Sequence, residues 1–338
     1  MKAVGYHRSK PIAEPESLLD FELPDPTPGA RDLLVRVEAV SVNPVDTKMR
    51  MRTQPEEGAP PQVLGWDAAG TVEAVGPEVT LFSPGDQVFY AGAIDRPGSN
   101  SELHLVDERI VGRKPASLDM AEAAALPLTA ITAWELLFDR LGVPYGVKTG
   151  GGSLLVVGGA GGVGSILIQI ASRLTGLTVI ATASRPETEE WVRRMGAHQV
   201  IDHRRPLDEA LAEAGLGPVD YVASLTATGQ HLAAYAKLIA PQGGLAVIDD
   251  PKSLDILPFK RKCIRICWEF MFARPLFGTL DMIEQHRLLN EVSALVDSGV
   301  LRSTLNERAG PIDAATLRRV HALVESGKAI GKSVLSGF

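Results

Sequence analysis

A chain of 338 residues, 45% hydrophobic and 22% charged, is too long for one ordinary core and too apolar for extended disorder. Its 34 basic residues against 41 acidic ones leave a net charge of −7, and aromatics are only 5%, so a general nucleic-acid surface of basic side chains and stacked rings is excluded. A small basic pocket for one anionic cofactor stays open.

The first 125 or so residues read as mostly strands. Leu33–Val40, Gly70–Val75 and Gln87–Ala91 are β-prone runs, punctuated by Pro24, Pro26, Pro28, Pro60, Pro61 and the Pro84-Gly85-Asp86 turn. This rhythm predicts an antiparallel, partly open barrel or sandwich. Helices are predicted at Asp119–Ala125 and Thr129–Leu141. From Ser153 the pattern alternates. Strands are expected at Ser153–Val157, Thr178–Ala183, Gln199–Asp202, Val219–Leu225 and Leu245–Ile248, and helices at Val163–Leu174, Pro186–Met195, Pro206–Ala214 and Gly229–Ile239. Such alternation predicts an α/β fold with a doubly wound parallel sheet. Ile264–Phe270 follows as a strand, Leu280–Leu295 as an amphipathic helix and Lys332–Leu335 as a last strand. The expected domains are therefore a β-rich one at 1–125, completed by 277–338, and an inserted α/β one at 126–276. The apolar stretch Leu154–Ala171 carries five glycines, so it reads as strand–turn–helix rather than a membrane span. No h-region follows Met1, and a cytoplasmic protein with reduced Cys263 and Cys267 is expected.

The strand Leu154–Val157 runs into Gly158-Gly159-Ala160-Gly161-Gly162-Val163-Gly164, within which Gly159-x-Gly161-x-x-Gly164 matches the dinucleotide fingerprint. Glycine serves there for a tight turn, for close approach of backbone to a pyrophosphate and for close packing of helix on strand, and the free amides of the next helix face an anion. The second strand ends in Ala183-Ser184-Arg185 with no Asp or Glu for ribose hydroxyls. A hydroxyl and a guanidinium suit a 2′-phosphate, which favours NADP over NAD. Ser184-x-x-Glu187 also reads as a capping box for the next helix. His203, after the third strand, is a candidate for the adenine end.

These features resemble the medium-chain dehydrogenase/reductase superfamily, and more narrowly its zinc-lacking quinone oxidoreductase branch, some members of which carry a zinc-type alcohol dehydrogenase-like label. The likeness rests on Val42-Asn43-Pro44-Val45-Asp46, Leu64-Gly65-Trp66-Asp67-Ala68-Ala69-Gly70-Thr71-Val72, Pro84-Gly85-Asp86-Gln87-Val88, Ala124-Ala125-Leu126-Pro127 with Thr132-Ala133, Met195-Gly196-Ala197 with Val200–His203, and Gly331-Lys332-Ser333-Val334-Leu335. It covers essentially the whole chain. It implies a GroES-like catalytic domain with a Rossmann domain, and a cofactor site of Thr132, Gly159, Ala160, Gly161, Gly162, Val163, Gly164, Ser184, Arg185, His203, Leu225, Thr226 and Lys332. It also implies a homodimer paired through the Cys263–Phe270 edge strand. Zinc members carry a Cys near the Asn43–Asp46 segment, a Gly-His-Glu run, and a Cys or Asp just after the Pro127 position. This chain has no such Cys, Gly65-Trp66-Asp67, and Pro127-Leu128-Thr129.

Without a Lewis acid, alcohol oxidation is demanding, whereas hydride delivery to a quinone or α,β-unsaturated carbonyl spreads charge into a phenolate or enolate that a few hydrogen-bond donors can hold. The sequence therefore points to an NADPH-dependent, metal-independent quinone oxidoreductase or enone reductase. A zinc alcohol dehydrogenase and a catalytically silent NADPH-binding protein are the alternatives. Candidate active-site residues are Asn43 as a hydrogen-bond donor, Asp46 as an orienting group or a cap for a helix from Thr47, Trp66 as a pocket wall and Tyr90 as a proton donor. Each has a purely structural alternative as turn, cap or core. Substrate choice is assigned to the loops Thr53–Pro61, Ile94–Asn100 and Phe272–Thr279.

Overall fold

The computed structural model describes all of residues 1–338. It divides into two units, Met1–Ile131 with Phe272–Phe338, and Thr132–Met271. The first boundary falls inside a helix rather than at residue 125, and the second lies a few residues before 277.

Unit 1 begins with β1 (Lys2–Tyr6), β2 (Leu19–Glu22) and β3 (Asp32–Ser41), then α1 (Pro44–Arg52). There follow β4 (Gln62–Val63), β5 (Ala68–Val75), β6 (Gln87–Tyr90), β7 (Leu103–Asp107), β8 (Val111–Arg113), α2 (Met120–Ala124) and α3 (Pro127–Trp134), the last of which runs across the boundary. Strand β3 buries Leu33, Val35 and Val37 and turns Arg36 to solvent, the period-two alternation of a sheet with one face on a core. It pairs antiparallel with both β5 and β7.

Unit 2 contains β9 (Ser153–Val157), α4 (Gly162–Leu174), β10 (Thr178–Thr182), α5 (Pro186–Met195), β11 (Gln199–Ile201) and α6 (Leu207–Glu213). It continues with β12 (Val219–Ser224), α7 (Thr228–Leu238), β13 (Ile239–Val247) and β14 (Arg265–Trp268). All pairings are parallel, in the order β11-β10-β9-β12-β13-β14. Numbered within the unit this is 3-2-1-4-5-6, the doubly wound order that binds dinucleotides. Leu154 to Val157 of β9 are all buried, as a central strand covered on both faces must be. One face packs Leu155, Val157, Val222 and Tyr235 with Leu245 and Phe259.

The chain returns to unit 1 through α8 (Ala273–Phe277), α9 (Glu284–Asp297), β15 (Leu305–Gly310), α10 (Ala314–Glu325) and β16 (Lys332–Ser336). Strands β15 and β16 pair in parallel, and β16 joins β3. The expected partly open barrel or sandwich is thus realised as a seven-stranded mixed sheet in the order β15-β16-β3-β5-β6-β8, with β7 on β3, and a three-stranded sheet β2-β1-β4.

Local differences have local causes. The expected helix Thr129–Leu141 is α3 followed by a π-helical turn at Glu135–Arg140. Leu154–Ala171 is the expected strand–turn–helix. A different run, Met120–Arg140, is apolar and long enough to cross a membrane by composition alone, but 83% of its apolar window is buried inside the protein. Cys263 is not on the strand. It caps a short 3-10 turn at φ +52 and is exposed, while Cys267 is half-buried, so the edge strand begins at Arg265 rather than Cys263.

His321, on α10, is fully buried and neither ring nitrogen has a hydrogen-bond partner. Burial and then the Arg50 charge push its pKa down to about 3. An unfolded histidine titrates near ~6.5. The folded value is depressed, so its neutral form contributes fully above that pH, and the contribution is lost as pH falls from about 6.5 towards 3. His321→Leu removes the two unpaired nitrogens at similar volume. Its thermal midpoint is expected to exceed the parent's by more at pH 5 than at pH 8, and equal gains at both would contradict this account.

Candidate functional site: a glycine turn and a buried lysine cage

In unit 2, β9 ends at Val157 and the chain turns through Gly158, whose φ of +89 needs glycine. The tight turn therefore falls one residue before the fingerprint. A methyl on Gly159 would lie 3.0 Å from Ala181 Cβ, so this glycine serves close packing. A methyl on Gly164 would lie 2.5 Å from the Gly158 carbonyl oxygen, so only glycine lets α4 approach the strand. Gly161 is the N-cap of α4 and offers no side chain to the first amides, and a methyl there would meet only the Gly158 oxygen, at 3.5 Å. Ala160, Gly161, Gly162 and Val163 are all half-exposed. The turn is held to β10 by the Gly158 amide, which donates to Thr182 Oγ1 at 3.1 Å. This leaves uncapped amides at the positive end of a 13-residue helix, an anion site in chemical terms.

Ser184 and Arg185 follow β10, and both are half-exposed. The expected Ser184–Glu187 capping box is not formed. The cap lies one residue later, where Thr188 Oγ1 accepts from the Arg185 amide at 3.1 Å and donates to the Arg185 carbonyl at 2.8 Å. The helix therefore makes no use of the Ser184 hydroxyl. Arg185 Nε lies 3.4 Å from Glu187. His203 is half-buried, its Nδ1 has no partner, and burial holds its pKa below the usual value. Beside it Arg204 is bound by Asp202 through both carboxylate oxygens. Leu225 and exposed Thr226 follow β12, and the Leu225 amide donates to the Val157 carbonyl at 3.1 Å. Thr132 is buried on α3.

In unit 1 the expected active-site residues are interior. Asn43 is 1% exposed and caps α1, which starts at Pro44 rather than Thr47. Asp46 Oδ2 completes the cap by accepting from the Asn43 amide at 2.7 Å, and burial pushes its pKa up to about 7. Asn43 Nδ2 donates to Asp67 Oδ2 at 2.8 Å and to the Trp66 carbonyl at 3.2 Å. Lys332 is buried, against the expectation that it belongs to the cofactor site. Its Nζ donates to Asp67 Oδ2 at 3.0 Å, to the Val42 carbonyl at 3.1 Å and to Asn43 Oδ1, which uses all three ammonium donors. Asp67 also accepts from the Leu128 amide at 2.7 Å and from Ser41 Oγ at 3.1 Å. Burial pushes the Asp67 carboxyl up, and Lys332 is the foremost group opposing that.

Trp66 is a core residue whose Nε1 donates to the Ala93 carbonyl at 3.1 Å, and its ring lies edge-on to Phe272. Tyr90 is fully buried and stacked on His104. With His104 Nε2 on the Pro97 carbonyl, Nδ1 is left to accept the Tyr90 hydroxyl at 3.1 Å. Burial raises the Tyr90 pKa and lowers that of His104 to about 4. Tyr90 keeps its proton and is not a ready acid. All four residues thus support the frame of unit 1 rather than face solvent.

The donor set does not fit a zinc ion. No three His, Cys, Asp or Glu side chains lie close enough to share one, and the Asp67 carboxylate is committed to an ammonium. Sequence reasoning missed Asp67 as a centre, though an acid inside the apolar run Val63–Gly70 announces a buried partner. It missed Gly158, and also Ser224, Thr228 and Asp249, which bear on the turn after β12.

Comparison with known proteins agrees with this architecture. Residues 29–116 match the family described as Alcohol dehydrogenase GroES-like domain, and residues 162–277 the one described as Zinc-binding dehydrogenase. The chain is 42% identical over 338 residues to a zinc-type alcohol dehydrogenase-like protein of Staphylococcus aureus, covering 99% of this chain and 100% of that one. Among solved structures, a Rhizobium etli protein of the zinc-dependent alcohol dehydrogenase type is 61% identical, with a TM-score of 0.95 over 100% of this chain and 98% of that one. The Escherichia coli quinone oxidoreductase complexed with NADPH is 25% identical, with a TM-score of 0.82 over 99% of this chain and 100% of that one.

Proposed function

The chain belongs to the medium-chain dehydrogenase/reductase superfamily, and on that premise we propose that it is an NADPH-dependent oxidoreductase that reduces quinones or α,β-unsaturated carbonyls without a metal ion. The observation that carries this reading is the uncapped glycine turn together with a second strand that ends in Ser184-Arg185 and no carboxylate. The residues fit the nucleotide. The amides of Gly162 and Val163 would receive the pyrophosphate, Ser184 and Arg185 the 2′-phosphate, His203 the adenine end, and Thr132, Leu225 and Thr226 the nicotinamide end.

When bound, NADPH supplies a hydride. The chain's own contribution is to hold the nucleotide rigidly and to keep the interior of unit 1 stiff. Asp67, Asn43 and Lys332 form a closed set with no donor left over, so they orient backbone and do not exchange protons with an acceptor. Tyr90 is buried and held protonated, so it is not assigned as the proton donor. An activated acceptor fits a site lacking a Lewis acid, because its developing charge is delocalised.

The test is NADPH consumption with a panel of quinones and enones after exhaustive dialysis against a chelator. Turnover that survives chelation is expected. Inactivity across the panel with NADPH binding retained favours a silent binder, and alcohol oxidation that appears only on adding zinc favours the zinc enzyme. We also propose a homodimer. Strand β14 is a sheet edge with Trp268 53% and Phe270 48% exposed beside it, and a two-fold mate would cover both. Light scattering at micromolar concentration should give twice 36.1 kDa, and a monomer would contradict it.

A further inference from the structure

The turn that joins β12 to α7 is built on a chain of four side chains within unit 2. Tyr235 OH lies 2.8 Å from Ser224 Oγ, Ser224 Oγ lies 2.7 Å from Thr228 Oγ1, and Thr228 Oγ1 bonds to Asp249 Oδ1. The Asp249 carboxylate also receives the Thr228 amide, at 3.0 Å on Oδ2. The direction of the chain is forced. An ionised carboxylate only accepts, so Thr228 donates to Asp249, Ser224 donates to Thr228, and Tyr235 donates to Ser224. Burial raises the Tyr235 pKa, which keeps that first donor protonated. Tyr235, Ser224 and Thr228 are fully buried, whereas Asp249 is half-exposed at the end of β13.

What this chain holds is a strained turn. Ala227 sits at φ +55 and ψ +29, the left-handed region that a residue with a Cβ rarely adopts. Its neighbours lie beside the glycine turn. A methyl placed on Gly158 would stand 3.1 Å from Thr226 Cγ2 and 3.6 Å from Leu225 Cβ, and the Leu225 amide is bonded to Val157. Strands β9 and β12 are neighbours at the point where the sheet order reverses, the crevice in which doubly wound folds take their ligands.

We propose that Asp249, acting through Thr228, is a positioning residue for the nicotinamide nucleotide, because it holds Leu225 and Thr226 against Gly158. The inference rests on the nucleotide reading above and assigns Asp249 and Thr228 a role through the turn they hold. Without the carboxylate, Thr228 loses its acceptors for both amide and hydroxyl, Ala227 relaxes from its left-handed conformation, and Thr226 leaves Gly158.

The test uses the full chain with three variants and equilibrium titration of NADPH. Thr228→Val deletes the hydroxyl at nearly constant volume, Thr228→Ser keeps it, and Asp249→Ala removes the acceptors of both the Thr228 amide and its hydroxyl. Thr228→Val and Asp249→Ala are expected to weaken NADPH binding about tenfold, with Thr228→Ser within about twofold of the parent. A purely structural role would lower the thermal midpoint while the folded protein kept its affinity, and that result overturns the proposal. Should Thr228→Val fail to fold, Asp249→Ala decides the matter in the same way. A parent chain that binds no NADPH overturns the nucleotide reading itself and the inference with it. A parent that binds beside variants of unchanged affinity overturns the inference alone.

Discussion

Asp67→Asn is expected to destabilise the chain by about 3–5 kcal/mol, the cost of removing one partner of a buried ion pair. Asp67 is fully buried, and four donors converge on its two oxygens: Lys332 Nζ, Asn43 Nδ2, Ser41 Oγ and the Leu128 amide. An asparagine keeps the shape but replaces one acceptor by an N–H, so one donor always meets another donor, and the Lys332 ammonium loses its counter-charge in a medium that cannot solvate it. The loss should appear as a lower denaturant midpoint with unchanged slope. The reverse deletion, Lys332→Met, tests the same cage by pH. With the ammonium gone, burial raises the Asp67 carboxyl further above its unfolded value. The folded state then binds more protons than the unfolded one, and stability falls as pH rises. Lys332→Met should therefore be more stable at pH 5 than at pH 8. Asp46, His321 and His104 titrate in both chains, so the difference in slope between Lys332→Met and the parent reports the cage alone. A Lys332→Met chain with the parental slope would show that the cage carries no charge.

Gly161→Ala and Gly164→Ala should fail in different ways. At Gly164 a methyl strikes two backbone oxygens, Gly158 O at 2.5 Å and Gly159 O at 2.6 Å, so α4 must move off the sheet and the variant should lose both stability and NADPH binding. At Gly161 the φ of −72 admits any residue, and the only neighbour of a methyl is Gly158 O at 3.5 Å. The fold should tolerate this alanine, with a thermal midpoint near the parent's. The methyl nevertheless occupies the half-exposed mouth of the turn, where backbone must approach a phosphate. Roughly a hundredfold weaker NADPH binding is expected, the equivalent of about two charge-assisted hydrogen bonds lost. Parental affinity in Gly161→Ala would place the nucleotide elsewhere.

The parallel sheet of unit 2 was readable because its strands are short, mainly apolar runs alternating with helices that carry apolar faces. The expected helix Pro186–Met195 is α5 residue for residue, and β9 matches its expected span. Strand β15, Leu305–Gly310, was not readable: Asn306, Glu307 and Arg308 read as loop, and only the tertiary partner β16 makes the segment a strand. Helix α10 went unread although its signals are present, with Asp313 capping through the Thr316 amide and Leu317, Val320 and His321 buried at helical spacing. In the candidate sites the glycines could be found because each glycine answers to backbone geometry. The lysine cage could not, because Lys332 lies 289 positions from Asn43 and 265 from Asp67 and meets them only when β16 joins β3. Burial then turned residues expected to meet a substrate into the frame around it.

Equilibrium titration of the purified chain with NADPH and with NADH, followed by nucleotide fluorescence, addresses the central claim most directly. The account predicts one saturable NADPH site per chain, at least about tenfold tighter than for NADH because the 2′-phosphate gains a charge-assisted hydrogen bond from Arg185. Binding of neither nucleotide, or a preference for NADH, would contradict it.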